Sequence, residues 1–433
     1  MKLKKYFQAI FLTIIMYSIT FAGGNDLNSN FNSRSFSLNG LYFAGSPGLS
    51  SVQSNPAGLI YLTGSAIEAS LIDYVIQNEF DSPDRGLYKS YKQDIFSIGG
   101  GLYWNFSNGF TAAISYHPVI NSSIDWPFVT QRTRGFDSTT ATLAFSMLNR
   151  LEINSVSPSV AFRIGGLAVG VTANIYHAVE QISFPRLNPL WNDSIGLAAY
   201  QFSYNLDGWG YGGTIGLMYD FSETFRIGVT AKSGTVIDVE GDAKSNMFAD
   251  LDSTASTVNA SSEVEIPWRF GIGGLYKLNE STVINVDFAF NLWGSTQEEL
   301  SYTFDNSIWQ NRTSQTDSLS GVAANSITLG YDNSFEFGAG IEHSSAAGLI
   351  YRAGYRFSQT YNTSSTYNFL FPSVDQHVVS IGIGYRNESL VIDAGLAYSF
   401  GVSAEVTSSV NSILAGEYSA GGYIPSLTLK YEF

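Results

Sequence analysis

The chain contains no cysteine. That excludes a disulfide framework and a lipid anchor on an amino-terminal cysteine, so the fold is held by hydrogen bonds and packing alone. Basic residues are also scarce, 22 Lys and Arg against 37 Asp and Glu, giving a formal charge of −15. The excess grows if Lys2, Lys4 and Lys5 leave with a cleaved leader, and it argues against nucleic acid as a partner. The acids read as solvated loop residues. The four histidines, His117, His177, His343 and His377, are scattered without carboxylates at ligand spacing, so no metal site and no cofactor is expected. No nucleophile with a base in reach is signalled, so no catalytic residue and no enzyme is expected. Beyond the amino end, no stretch is long and apolar enough to cross a bilayer as a helix, which needs roughly 20 residues. If the chain spans a membrane, it does so with strands.

Both ends of the chain point to that outcome. Lys2, Lys4 and Lys5 precede a mostly apolar run from Tyr6 to Ile19, and Thr20-Phe21-Ala22 supplies small residues at a cleavage position. The apolar run is short and interrupted by Gln8, Thr13 and Ser18, as in a cleaved signal peptide over residues 1–22 rather than an anchor. The last residues, Ser426 to Phe433, alternate polar and apolar and end on an aromatic. That pattern fits a closing strand with one face toward lipid and one toward a lumen, and Tyr431 and Phe433 are the expected signal to the outer-membrane assembly machinery. The expected location is the bacterial outer membrane, with the protein a monomer in contact with outer-membrane lipid.

Between these ends, 42 Gly, 26 Tyr and 30 Phe suit a transmembrane barrel, with aromatics for its interfacial girdles and glycine for crowded interior faces. The expected fold class is all-β, a transmembrane antiparallel β-barrel over residues 65–433. Period-two segments from Ala66–Asn78 to Gly421–Phe433 number about fourteen, an even count as such barrels require. Tight links such as Ser107-Asn108, Gly165-Gly166 and Asn387-Glu388 alternate with long ones, including Val119–Glu152, Gln181–Leu206, Val239–Ser262 and Ser295–Asn333. The tight links read as periplasmic turns and the long ones as extracellular loops. In Phe225–Lys232, Phe225, Ile227, Val229 and Ala231 oppose Arg226, Gly228, Thr230 and Lys232, giving a lipid face and a lumen face.

The strand count leaves residues 23–64 unused. They are rich in Gly and Ser yet carry Leu38, Leu41, Tyr42, Phe43, Leu49, Leu59 and Leu62. A barrel of about fourteen strands has a lumen wide enough to need filling, so this segment reads as a plug inside it. Within it, Asn39-Gly40-Leu41-Tyr42-Phe43-Ala44-Gly45 and Ser54-Asn55-Pro56-Ala57-Gly58-Leu59 resemble the plug signature of the FadL-type outer-membrane transporters of long-chain fatty acids and other hydrophobic compounds. Asn55, Pro56 and Ala57 match that family's Asn-Pro-Ala turn. The resemblance continues through Ile266–Gly271 with Tyr276, Asp287 and Trp293, then Phe335–Glu342, Tyr351–Tyr355, Phe371-Pro372 with Asp375, Gly382–Tyr385, and Leu390, Asp393, Ala397 and Tyr398. From about Leu71 to Ile237 only the layout matches.

The resemblance implies passive outer-membrane transport of fatty acids or related hydrophobic molecules, gated by the plug, with sideways exit through a gap in the barrel wall. Pro118 cannot donate to a ladder and ends the third candidate strand, so it is the candidate for that gap. Phe184, Leu187, Leu190, Trp191, Ile195 and Leu197 make the segment after the fifth strand unusually apolar. They form a candidate hydrophobic capture loop; a loop packed on itself over the barrel mouth explains the same residues. Asp94, Asp207, Asp287 and Asp393 are expected to pair or hydrogen-bond inside the lumen. The rival reading is a related barrel serving a protein-secretion system as carrier or scaffold; a polar porin is a third.

Overall fold

The computed structural model describes residues 31–46, 48–83, 86–106, 109–133, 138–187, 199–248, 256–313, 323–367, 369–407 and 415–433. The signal-peptide expectation over residues 1–22, and residues 23–30 of the expected plug, lie outside them.

Fourteen antiparallel strands form one closed sheet. In chain order they are β1 (Ser65–Ser82), β2 (Gln93–Phe106), β3 (Phe110–Thr133), β4 (Thr140–Ile164), β5 (Leu167–Leu187), β6 (Ala199–Asp220) and β7 (Phe225–Lys232 continued by Thr235–Ser245). Next come β8 (Thr257–Ile266 continued by Arg269–Asn279), β9 (Thr282–Asn291), β10 (Ser334–Ser344), β11 (Leu349–Ser358), β12 (Gln376–Arg386), β13 (Leu390–Gly401) and β14 (Gly416–Glu432). Ser233-Gly234 interrupts β7, and Pro267-Trp268, lacking one backbone donor, interrupts β8. The ring closes where β14 pairs with β1, from Ala66 opposite Glu432 to Asp81 opposite Glu417.

Alternation decides which side chains meet lipid. In β12, Val379, Ile381, Ile383 and Tyr385 are exposed, whereas Val378, Ser380 and Gly384 are buried. In β7, Phe225 and Val229 point out while Gly228, Thr230 and Lys232 are buried, as the sequence alternation required. An outward belt of this kind is stable only against hydrocarbon, because each exposed apolar Å² costs about 25 cal/mol in water. Trp104, Phe106, Phe110, Tyr219, Tyr276 and Tyr431 cluster outward near the tight-turn end as an aromatic girdle.

Several strands run further than their sequence pattern indicated. Ile120–Thr133 pairs with Thr140–Ile153, where a long loop over Val119–Glu152 was expected. Likewise, much of Gln181–Leu206 is hairpin, Gln181–Leu187 pairing with Ala199–Asn205. These extensions keep the two-residue period, but their outward positions are Asn121, Asp125, Arg150, Glu152 and Gln181, which suit water rather than lipid and read as loop. At this end the remaining segments fold inward. Trp126 Nε1 donates to Phe369 O at 2.8 Å, and Asn149 Nδ2 donates to Leu370 O at 2.8 Å. An apolar cap results, with Phe184, Phe202, Tyr204, Trp309, Tyr361 and Phe369 buried in it.

Candidate functional site

Residues 31–64 lie inside the ring, bonded to the inward faces of strands on all sides. Gly64, with φ +64°, turns the chain from this segment into β1. The sequence Asn39-Gly40-Leu41-Tyr42 makes a tight left-handed bend, with φ of 115° at Asn39, 80° at Gly40 and 58° at Tyr42. Asn39 Oδ1 accepts from Leu41 N at 2.6 Å, and the bend aims Phe43 N at Asp287 Oδ1, also at 2.6 Å. Asn39 and Asn285 donate to the other oxygen of Asp287, so this lumenal carboxylate on β9 is fully engaged. Burial pushes the Tyr42 hydroxyl up to about 12, so it stays neutral among the charges around it.

The Asn55-Pro56-Ala57 turn is held from both sides. Asn55 Oδ1 accepts from Ala57 N at 3.1 Å, and Pro56 opens the helical turn Pro56–Tyr61. Asn55 Nδ2 faces Phe43 O at 2.8 Å and, in the wall, Leu217 O and Val229 O at 3.2 Å each. One amide therefore joins the two halves of the signature to each other and to the facing strands β6 and β7. The approach requires glycine in the wall. A Cβ on Gly170 would collide with the Pro56 backbone, one on Gly216 with Asn55 Oδ1, and one on Gly228 with Phe43 O. Gly216→Val is expected to leave the barrel folded but dislodge the turn, seen as new protease cleavage within residues 31–64 in otherwise resistant protein.

Charge fixes the remainder of the segment. Arg34 forms a two-pronged pair with Glu342 on β10, at 2.8 and 2.7 Å. Glu342 also receives Arg352 Nε at 2.6 Å, and Arg352 Nη1 reaches Asp393 at 2.6 Å. Asn32 and the Leu49 amide donate to Glu68 on β1. Tyr61 donates to Asp220 at 2.9 Å, with the Arg226 guanidinium 3.4 Å above its ring. Asp287 and Asp393 thus fulfil the expectation of lumenal pairing. Asp94 and Asp207 do not: both point outward, Asp207 beside His177 at 3.4 Å, because their positions fall on the other parity of their strands.

Pro118 sits in the middle of β3, not at its end as the sequence indicated. There the register against β4 slips by one residue between Pro118 and Ile120. The pairing of β2 with β3 stops at Gly100 opposite Tyr116, although β2 continues to pair with β1 as far as Gln93. Above Tyr116 the described backbone link between the two elements is Tyr91 N to Asp125 O at 2.9 Å. The amino-terminal segment faces this break: Gln53 Nε2 donates to Pro118 O at 3.0 Å, and the Phe31 ring stacks on His117 at 5.2 Å. A bulge next to a residue without an N–H is the ordinary way to end pairing within a sheet.

Phe184 belongs to β5 rather than to an exposed loop, and it is buried against Phe202 and Tyr204. The apolar run continues the strand, so a surface role for Phe184 is corrected to cap packing. The Leu187 side chain and Leu190, Trp191, Ile195 and Leu197 lie outside the described residues. Tyr431 and Phe433 are exposed on the outer face at the seam, and Phe433 N donates to Ser65 O at 2.9 Å. A cavity of about 40 Å³ lies under the cap and reaches Ile120, just past the β3 bulge. The sequence marks Gly228 as lumenal but singles out neither this cavity nor Gly170 and Gly216; Gly at inward parity in β5 and β6 is the available signal.

The fold recurs in solved structures. A FadL homologue from Pseudomonas aeruginosa superimposes with a TM-score of 0.74 at 15% identity, covering 95% of this chain and 100% of that one. The toluene transporter TbuX of Ralstonia pickettii gives 0.68 at 17% identity, covering 94% and 99%. In sequence, the long-chain fatty acid transport protein of Escherichia coli O6:H1 is 22% identical over 218 residues, 46% of this chain and 44% of that protein. The chain spans less than half the length of the curated relatives it matches. The family model matches nearly the whole chain, residues 15–433, and this chain belongs to that family, the outer membrane protein transport proteins (OMPP1/FadL/TodX).

Proposed function

We propose that this chain carries hydrophobic compounds, fatty acids or related molecules, passively across the outer membrane. Residues 23–64 act as the gate, and the exit is sideways, between β2 and β3. The observation that carries this reading is the loss of pairing above Tyr116, next to Pro118 and the one-residue slip. A hydrophobic solute gains nothing from an aqueous channel, since leaving an apolar pocket for water costs about 0.8 kcal/mol per methylene. A wall opening at membrane depth lets it pass from pocket to lipid directly. Two observations support this reading: the cavity reaches Ile120 just past the break, and Phe31 and Gln53 contact the break from inside. Relatives include a long-chain fatty acid transport protein and a toluene transporter, which fits a shared route for apolar cargo.

Deleting Val119, the extra residue of the bulge, together with Pro118→Val restores a regular donor-bearing strand that can pair with β2. Uptake of radiolabelled long-chain fatty acid or toluene by cells carrying this variant is expected to fall by about tenfold or more, the scale of a lost 1.4 kcal/mol. The barrel should retain its heat-dependent shift in gel migration. Uptake at the unaltered rate through a folded variant would rule out the sideways exit.

A further inference from the structure

The cavity under the cap contains one chemical anomaly. It is lined largely by apolar groups, among them Ile120, Leu151, Val264, Trp293 and Phe371, yet Glu180 of β5 projects into it. Glu180 is 2% exposed. Its cross-strand neighbours are Leu151 and Leu206, and the residues before and after it on the same face are Ala178 and Ile182. The buried Tyr302 hydroxyl stands beside Glu180 as the one described donor facing its carboxyl, and Oε2 makes no close, well-aligned hydrogen bond. The second carboxylate at the cavity is Glu265, and no Lys, Arg or His is among the lining residues described.

Leaving a buried acceptor unsatisfied is costly, and leaving a buried carboxylate without a cation or donor is costlier still. Among the described residues, the Tyr302 hydroxyl is the sole donor facing Glu180, and no cation is near it. The remaining source of a donor is a molecule entering the cavity. We infer that Glu180 is a specificity-determining residue that receives the polar end of an amphiphile able to donate a hydrogen bond, an aliphatic alcohol or amine, and that it disfavours carboxylates. The lining points the same way: it holds two acidic side chains and no cation among the described residues, so an entering carboxylate finds no charge to compensate its own burial. At about 40 Å³ the cavity admits the polar end and the first carbons of the tail, against apolar lining that includes Ile120.

This inference rests on the transport reading for its biological setting, but its test does not depend on transport. The full-length barrel in lipid nanodiscs is titrated calorimetrically with dodecan-1-ol, dodecylamine and dodecanoate. The alcohol and the amine are expected to bind on the order of tenfold more tightly than dodecanoate, the scale of one hydrogen bond to a charged group. Glu180→Gln should cost the amine about tenfold while the alcohol loses only a few-fold and dodecanoate gains, following the charge. Glu180→Leu should erase the difference between alcohol and carboxylate. Equal affinities for the three probes, or a preference for dodecanoate that survives Glu180→Gln, would overturn the assignment. If the Val119 deletion leaves uptake intact while Glu180 variants reorder these affinities, sideways exit fails and the head-group site stands. The opposite pattern keeps the exit and removes the site.

Discussion

Cells producing Asn55→Leu protein are expected to become permeable to large polar antibiotics that the unaltered barrel excludes. Leucine matches the side chain in size but makes none of its four contacts, to Phe43 O, Leu217 O, Val229 O and Ala57 N. The two wall carbonyls belong to strand residues, whereas Phe43 O loses its described partner. With about 1–3 kcal/mol for each buried group left unsatisfied, the turn is destabilised by roughly 3 kcal/mol, on the order of a hundredfold in the seated population. Planar-bilayer recordings should show openings absent from the parent protein, while heat-modified gel migration reports an intact barrel. Asn55→Asp keeps the acceptor facing Ala57 but sets a carboxylate oxygen against three carbonyls, so it should open the barrel at least as often as Asn55→Leu. Recordings indistinguishable from the parent for both variants would remove Asn55 from the gate.

The second large effect is expected at Arg352, and it is of a different kind. This guanidinium is 5% exposed and bridges Glu342 and Asp393, at 2.6 Å each. Arg352→Met leaves two buried carboxylates that share only Arg34, which contacts Glu342 alone among them. Removing one member of a buried pair costs about 3–5 kcal/mol, because the remaining charges are left without compensation. The urea midpoint of the folded barrel should drop clearly. Arg34→Met spares the Glu342–Arg352 contact and should loosen the interior segment with little change in that midpoint. Neutralising both acids alongside Arg352→Met, with Glu342→Gln and Asp393→Asn, should restore a large part of the loss. A midpoint unchanged by Arg352→Met would show that the network contributes no net stability.

The barrel could be read from the chain because lipid imposes a strict rule: at membrane depth outward positions are apolar, and the period of two survives inspection in Phe225–Lys232 and Val378–Tyr385. Outside the lipid that rule lapses, which is why Ile120–Thr133 looked like loop although it is ladder. Asn55 was legible because an Asn-Pro turn carries its own local chemistry. Pro118 was legible as a disruption, but whether it ended a strand or bent one depended on pairing with β4, a partner more than twenty residues away. Glu180 gave no signal at all. A lone acid in an alternating strand is ordinary until Leu151 and Leu206, set beside it by two different registers, make its surroundings apolar. Asp94 and Asp207 failed for a related reason, since a strand shifted by one position sends every side chain to the opposite face.

The contacts of Ser33 bear on how the molecule comes into being. Its amide donates to Thr428 Oγ1 at 2.8 Å and its hydroxyl to Ser426 Oγ at 2.7 Å, across 395 and 393 residues of chain. The docking of Ser33 therefore waits for the strand that closes the ring. Before β14 arrives, Ser33 has no place to dock; after β14 pairs with β1, the ring admits no further chain through its side. Seating this end of the segment and sealing the ring are thus coupled. Contacts of such sequence separation make folding slow, and a chain released before its final strand is complete carries an unsealed seam and a loose interior together, two defects that proteolytic surveillance can recognise as one.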